Sequence, residues 1–195
     1  MSTDAPQIIL GIDPATKTGF ACQQVGCNAP PVFGSWDYSR VVTDETPNRS
    51  GHRLSAFRED LSTMVANNHV TLVAYEEAMW GTHNHETAAF HGEMRGIIKL
   101  VCAVHGIQHK GYNPGTIKKF WAGHGKAEKK GMMRACKTWL NLDVDDPDAA
   151  DALAIMSLAI DELRVDRIKE RVELAAGPKR KPRRTAAQKT LFGRK

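Results

Sequence analysis

The sequence predicts an α/β sandwich built on a five-stranded mixed sheet, three strands in an antiparallel meander and two parallel, flanked by helices. Three observations carry that expectation. The chain opens with short apolar runs separated by Gly-, Pro- and Thr-rich turns, the pattern of strands joined tightly. From residue 52 onward, apolar residues recur at three- and four-residue spacing and alternate with two further short apolar runs. Most connections are short, as a compact domain requires.

Residues 7–13 form the first expected strand and 19–25 the second, with Gly26 to Pro31 as a turn and Val32 to Tyr38 as the third strand. Residues 39–51 read as loop. Leu54, Phe57, Leu61, Met64 and Val65 place one buried stripe on a helix over 52–67. Val70 to Tyr75 is the fourth strand and ends in Glu76 and Glu77. After a loop at 80–84, Phe90, Met94, Ile97, Ile98, Val101 and Cys102 mark a long helix over 86–105, stopped by Gly106. A short fifth strand follows at 107–112. Pro114 opens a brief helix carrying Ile117, Phe120 and Trp121, a further helix spans 126–140, and a last one runs from Pro147 to about 168–173.

Length and composition exclude several classes. The 195 residues, 42% hydrophobic and 25% charged, suit one globular domain with a full core. No apolar run approaches the roughly 18–20 residues of a membrane span, and Met1 to Gln7 lack a secretory pattern. Cys22, Cys27, Cys102 and Cys136 form no Cys-x-x-Cys pair and read as reduced thiols, mostly buried, of a cytoplasmic protein. Eight of the 27 basic residues and no acid lie in 177–195, which leaves 19 basic against 22 acidic residues in 1–176. The basic balance therefore belongs to a tail, expected to be disordered, and not to the folded domain over 1–176. Binding of nucleic acid has to come from local patches.

Four acids stand out. Asp13 ends the first strand, Glu76 ends the fourth, and Asp148 and Asp151 lie three apart at the start of the last helix, on one helical face. The alanines between them, Ala149 and Ala150, would let that helix lie close against a sheet. Converging carboxylates suit hard divalent ions, which take oxygen ligands. Two such ions about 3.5–4 Å apart can activate a water and stabilise a leaving oxygen on phosphorus. The plainer alternatives are that Asp13 only opens a turn, that Glu76-Glu77 is a solvated strand end, and that Asp146 caps the last helix with Asp148 favoring its dipole. Just before the acidic pair, Lys118, Lys119, Lys126, Lys129, Lys130, Arg134 and Lys137 face one acid, Glu128, around Gly123-His124-Gly125. Glycines ahead of a helix can turn backbone N–H groups to a phosphate. The alternative is a solvated lysine-rich face.

Taken together, Gly-Ile-Asp13-Pro with Thr18-Gly19, Ala74-Tyr75-Glu76, Ile117-Lys118-Lys119 followed by Gly123-His124-Gly125-Lys126-Ala127-Glu128-Lys129, and Asp148-Ala-Ala-Asp151-Ala-Leu-Ala resemble the RuvC-type Holliday-junction resolvases of the ribonuclease H-like superfamily over residues 7–165. The resemblance implies an RNase H-like fold. It implies a homodimer, joined through the helix at 86–105, that cuts opposed strands of a four-way DNA junction with Mg²⁺ or Mn²⁺, two ions per site, leaving 5′-phosphate and 3′-hydroxyl ends. It makes Asp13, Glu76, Asp148 and Asp151 the catalytic, metal-holding carboxylates and puts Lys118 and Lys129 on the phosphate-contacting lysines, with Lys119 and Lys126 beside them on the DNA. Where the family carries a junction-wedging aromatic, this chain has Met79, followed by Trp80. That departure and the basic tail resemble the diverged resolvases that bacteriophages encode, with broader branched-DNA substrates. A related nuclease acting on RNA–DNA hybrids and a non-catalytic branched-DNA-binding module are the alternative readings.

Other features are weighed beside this one. His83, His85 and His91 include a His-x-His, without a further metal ligand at matching spacing. Trp36, Trp121 and Trp139 are expected to pack. Thr16-Lys17-Thr18 resembles the phosphate turn of sugar-kinase and actin-like ATPases, whose long two-lobed chain does not fit here. In the tail, the Lys/Arg/Pro run from Lys179 to Arg184 is expected to hold DNA through salt-sensitive contacts. Gln188-Lys189-Thr190-Leu191-Phe192 resembles the short peptide that docks on the sliding clamp.

Overall fold

A computed structural model of the chain describes residues 6–41, 47–77 and 85–176, the side chains through residue 169. Met79, Trp80, His83 and the tail from residue 177, with Gln188–Phe192, lie outside the described residues. The chain divides into two units, one through Asp161 and one from Glu162. The first holds the sheet; the described part of the second is helix.

The sheet has the order β3-β2-β1-β4-β5. β1 (Ile8–Asp13), β2 (Lys17–Gln24) and β3 (Val32–Asp37) form the expected meander. β4 (Leu72–Glu76) and β5 (Gln108–Tyr112) join as parallel strands. β2 begins two residues earlier than its apolar run, because Lys17 and Thr18 continue the ladder opposite Asp37 and Trp36.

Period-two alternation splits each central strand between two cores. Leu10, Ile12, Val73 and Tyr75 pack with Phe57, Leu61 and Val65 of α1 (Arg49–Asn67) and with Met94, Ile98, Val101 and Cys102 of α2 (His85–His105). α1 starts at Arg49, three residues before the expected 52. Asn48, at φ 50°, caps it by accepting from the Gly51 N–H at 3.3 Å. Part of the preceding segment, expected as loop, is a 3-10 turn over Tyr38–Val41.

The opposite face of β1 carries Ile9, Gly11 and Asp13, and here α5 (Pro147–Ala176) packs. A Cβ built on Gly11 would lie 2.5 Å from the Ala152 carbonyl oxygen and 2.8 Å from Met156 Cβ. One built on Gly19, opposite Asp13 in the ladder, would run into the Asp148 carbonyl. Bare strand backbone and small helix residues (Ala149, Ala150 and Ala152 are buried) bring helix and sheet together. α3 (Pro114–Ala122) and α4 (Lys129–Leu140) pack on each other, Trp121 Nε1 donating to the Met132 carbonyl at 3.1 Å.

Three expectations need correction. α4 starts at Lys129 and not at 126, and Gly123, at φ 85°, gives its N–H to the Lys119 carbonyl. That glycine ends α3 and has no free donor for a phosphate. Trp139 is not a packing residue in the expected sense. It is 62% exposed, stacked over Phe120 at 6.5 Å and 9°, its Nε1 donating to the Trp121 carbonyl. Cys22, Cys102 and Cys136 are buried free thiols and Cys27 is exposed.

Candidate active site

Alternation and register bring the first two acids together. β1 and β4 run parallel with Ile12 opposite Tyr75, so Asp13 and Glu76 are the next residues on adjacent strands. Both fall on the α5 face, since Ile12 and Tyr75 belong to the other core. The same parity sends Glu77 away. Its carboxylate lies against Gly111 of β5, and its N–H donates to the Tyr112 carbonyl at 2.8 Å.

α5 supplies the other two. Its start is tied to the meander through Asp146. One oxygen of that carboxylate takes the Asp148 N–H at 3.1 Å and Lys17 Nζ at 2.8 Å, and the other takes Ser35 Oγ at 2.6 Å. Asp146 thus has the expected helix-capping role and anchors the helix to β2 and β3 as well. Its bonds to Lys17, Ser35 and the Asp148 N–H outweigh burial and lower its pKa. Lys17 also reaches Asp148 Oδ2 at 3.2 Å. Lys17 is therefore committed to carboxylates, unlike the lysine of a phosphate turn.

The four acids share one electrostatic field. Burial pushes the Asp13 carboxyl well above its usual range, and the charges of Glu76, Asp151 and Asp148 add to the effect. Glu76 rises to about 7 through burial and Asp151, with Lys118 and Arg95 pulling the other way. Asp151 rises to about 6 through burial and Asp148, opposed by Lys118 and Lys129. Among the described residues no group of three or more His, Cys, Asp or Glu side chains is placed so that it could hold a metal ion. The four acids are a cluster of repelling carboxylates rather than a finished ligand shell. Its donors are all oxygen, the set that suits a hard divalent cation.

Lys118 and Lys129 act directly on this cluster; Lys119 and Lys126 are exposed. His85 is exposed and His91 half-buried on α2. Sequence reasoning missed Lys17, Ser35 and Arg95. Lys17 sat in a turn read for its likeness to another phosphate loop, Ser35 in a strand read only for its apolar neighbours, and Arg95 showed nothing in its spacing. The signal it could have used was glycine within a strand, at Gly11 and Gly19, which marks close backbone approach.

The mixed sheet in this order, with acids at the ends of β1 and β4 met by the first turns of a helix, is the RNase H-like fold. The structure matches that of Thermus thermophilus RuvC with a TM-score of 0.63 at 22% identity, over 77% of this chain and 91% of that one. It matches T. thermophilus RuvC in complex with Holliday junction substrate with a TM-score of 0.64 at 23% identity, over 77% and 90%. A family model described as crossover junction endodeoxyribonuclease RuvC matches residues 9–159. The chain is 35% identical over 151 residues to the crossover junction endodeoxyribonuclease RuvC of Pseudothermotoga lettingae, covering 76% of this chain and 90% of the relative. It is 33% identical over 151 residues to that of Heliobacterium modesticaldum, with the same coverage. The chain belongs to the crossover junction endodeoxyribonuclease RuvC family.

Proposed function

We propose that this chain resolves four-way DNA junctions, and branched DNA more widely, by cation-assisted hydrolysis of phosphodiesters in opposed strands, with Asp13, Glu76, Asp148 and Asp151 as the cation-holding carboxylates. Membership of the family makes the chain a junction endonuclease. The assignment of residues is supported by one observation above the others: Asp13, half-buried at the end of β1, feels the charges of Glu76, Asp151 and Asp148 together.

Divalent ions such as Mg²⁺ or Mn²⁺, two per site, would lower the pKa of an attacking water and offset charge on the phosphate. The protein's part is to hold and orient. Asp13 and Glu76 come from adjacent strands of the sheet, and Asp148 and Asp151 from the helix packed on it, so the donors sit on rigid elements. Lys118 and Lys129 meet the phosphodiester from α3 and α4 and offset charge that develops on its oxygens. Lys119 and Lys126, exposed on the same segment, extend the DNA track.

A two-fold protein suits paired cuts in a near two-fold substrate. α2 supports a homodimer, since Leu100 and Val104, four residues apart, are 52% and 74% exposed. Met79 and Trp80 are proposed to contact the junction near the strand end at Glu76, and Gln188–Phe192 to dock on a sliding clamp. Deleting 187–195 should abolish clamp binding and leave junction cutting intact.

The test compares labelled four-way junction, fork, linear duplex and RNA–DNA hybrid, with each of the four acids changed to its amide. The wild type should cut the junction in symmetric pairs. Asp13→Asn should bind the junction normally and cut slower by about two orders of magnitude or more, close to 3 kcal/mol of transition-state stabilisation. Normal cutting by Asp13→Asn would overturn the site. Preference for the hybrid would overturn the substrate.

A further inference from the structure

We propose that Lys17 is a positioning residue for cation binding: its ammonium, shared between Asp146 and Asp148, holds the Asp148 carboxylate in place and tempers the negative charge of the site. The proposal builds on the carboxylate assignment above and adds a residue outside it.

The geometry is specific. Lys17 Nζ lies 2.8 Å from Asp146 Oδ1 and 3.2 Å from Asp148 Oδ2. Asp146 is occupied on both oxygens, by Ser35 on one side and by Lys17 and the Asp148 N–H on the other. Asp148 therefore receives the shared ammonium from a partner that is itself pinned to three elements. The backbone of Lys17 is equally fixed, since it sits in the β2–β3 ladder opposite Asp37. Two residues on, Gly19 admits the Asp148 carbonyl against the sheet. Strand and helix are thus locked at the same point where the ammonium crosses between them.

The chemistry follows from charge and competition. Without a cation, four carboxylates repel, and an ammonium on Asp148 relieves part of that repulsion. A divalent ion taking Asp148 Oδ2 competes with Lys17 for that oxygen, and Lys17 can stay with Asp146. Lys17 should therefore weaken cation binding while fixing the carboxylate that binds it. Its side chain is 44% exposed, so solvent screens the effect and keeps it modest.

The experiment is Mn²⁺ binding by the full-length chain without DNA, followed by the electron paramagnetic resonance of free Mn²⁺, together with single-turnover junction cutting at saturating Mn²⁺. Lys17→Met should bind Mn²⁺ about 3- to 10-fold more tightly, as expected for loss of one screened positive charge, and cut about 10-fold more slowly because Asp148 is no longer held. Lys17→Arg should restore both values. Asp146→Asn, which frees the ammonium to sit on Asp148 alone, should bind Mn²⁺ more weakly. General damage to the fold would lower binding and cutting together, so unchanged or weaker binding in Lys17→Met overturns the proposal. Asp13→Asn separates the two levels. If it loses Mn²⁺ binding while Lys17→Met binds like wild type, only the role of Lys17 fails. If it binds like wild type, the carboxylate assignment fails with it.

Discussion

At the scale of single residues, the acids proposed to hold the cations are also those that oppose the fold. Glu76 goes from an ordinary 4.5 to about 7, and Asp151 from 3.8 to about 6. The folded values are the higher ones, so the folded chain binds these protons more tightly than the unfolded chain does. The stability they contribute is fully present below about pH 4, under their unfolded values, and is lost as pH rises through 6 and 7. Cation-free protein should therefore melt about 5 °C lower or more at pH 8 than near pH 5. Saturating Mg²⁺ should largely erase that difference. Calorimetry with and without a chelator measures it, and a melting point that climbs with pH would contradict it. These residues were legible in the sequence because each ends an apolar run or opens a helix. Their partners were harder to see. Lys17 and Asp146 are 129 positions apart, and no local pattern records a pairing that only the folded sheet creates.

At the scale of elements, close approach of α5 to β1 and β2 is what turns scattered acids into a cluster. Gly11→Ala would set a methyl group against the Ala152 carbonyl and Met156. Overpacking of this kind costs about 1–3 kcal/mol. It also pushes Asp148 and Asp151 away from Asp13, so Gly11→Ala should lose cutting by a larger factor than its drop in melting temperature explains. Thermal melts paired with single-turnover cutting would show it. The apolar stripes made the helices readable, and α2 and the five strands lie close to where periodicity puts them. Boundaries moved where polar residues decide them. Asn48 starts α1 early, and Gly123 spends its N–H on α3. Trp139 was misread because hydrophobic type says nothing about whether a helix end is covered. The outer side of α2 carries the dimer prediction. Leu100→Glu with Val104→Glu should yield monomers in sedimentation that still fold, and cuts at a junction should no longer be paired.

At the scale of the whole molecule, charge is divided along the sequence between residues 1–176, slightly acidic, and residues 177–195, strongly basic. Contacts from such a tail depend on released counterions and weaken with salt. A chain ending at residue 176 should keep its junction cutting and bind duplex DNA less tightly. The slope of log affinity against log salt should become shallower by several units if most of the eight basic residues of 177–195 engage phosphates. Binding measured across a salt series decides it, and equal slopes would place the non-specific contacts on residues 1–176 instead.

The turning away of Glu77 has a consequence for how insertions and deletions act on this protein. Adjacent glutamates at the end of β4 differ only in parity. Removing one residue from the turn before β4 would shift the strand by a single step, swing Glu76 toward the core that holds Tyr75 and put Glu77 at the place Glu76 now holds. Removing two would keep the parity and shorten the reach. The strand thus counts its residues modulo two, and the chemistry at its tip depends on the remainder.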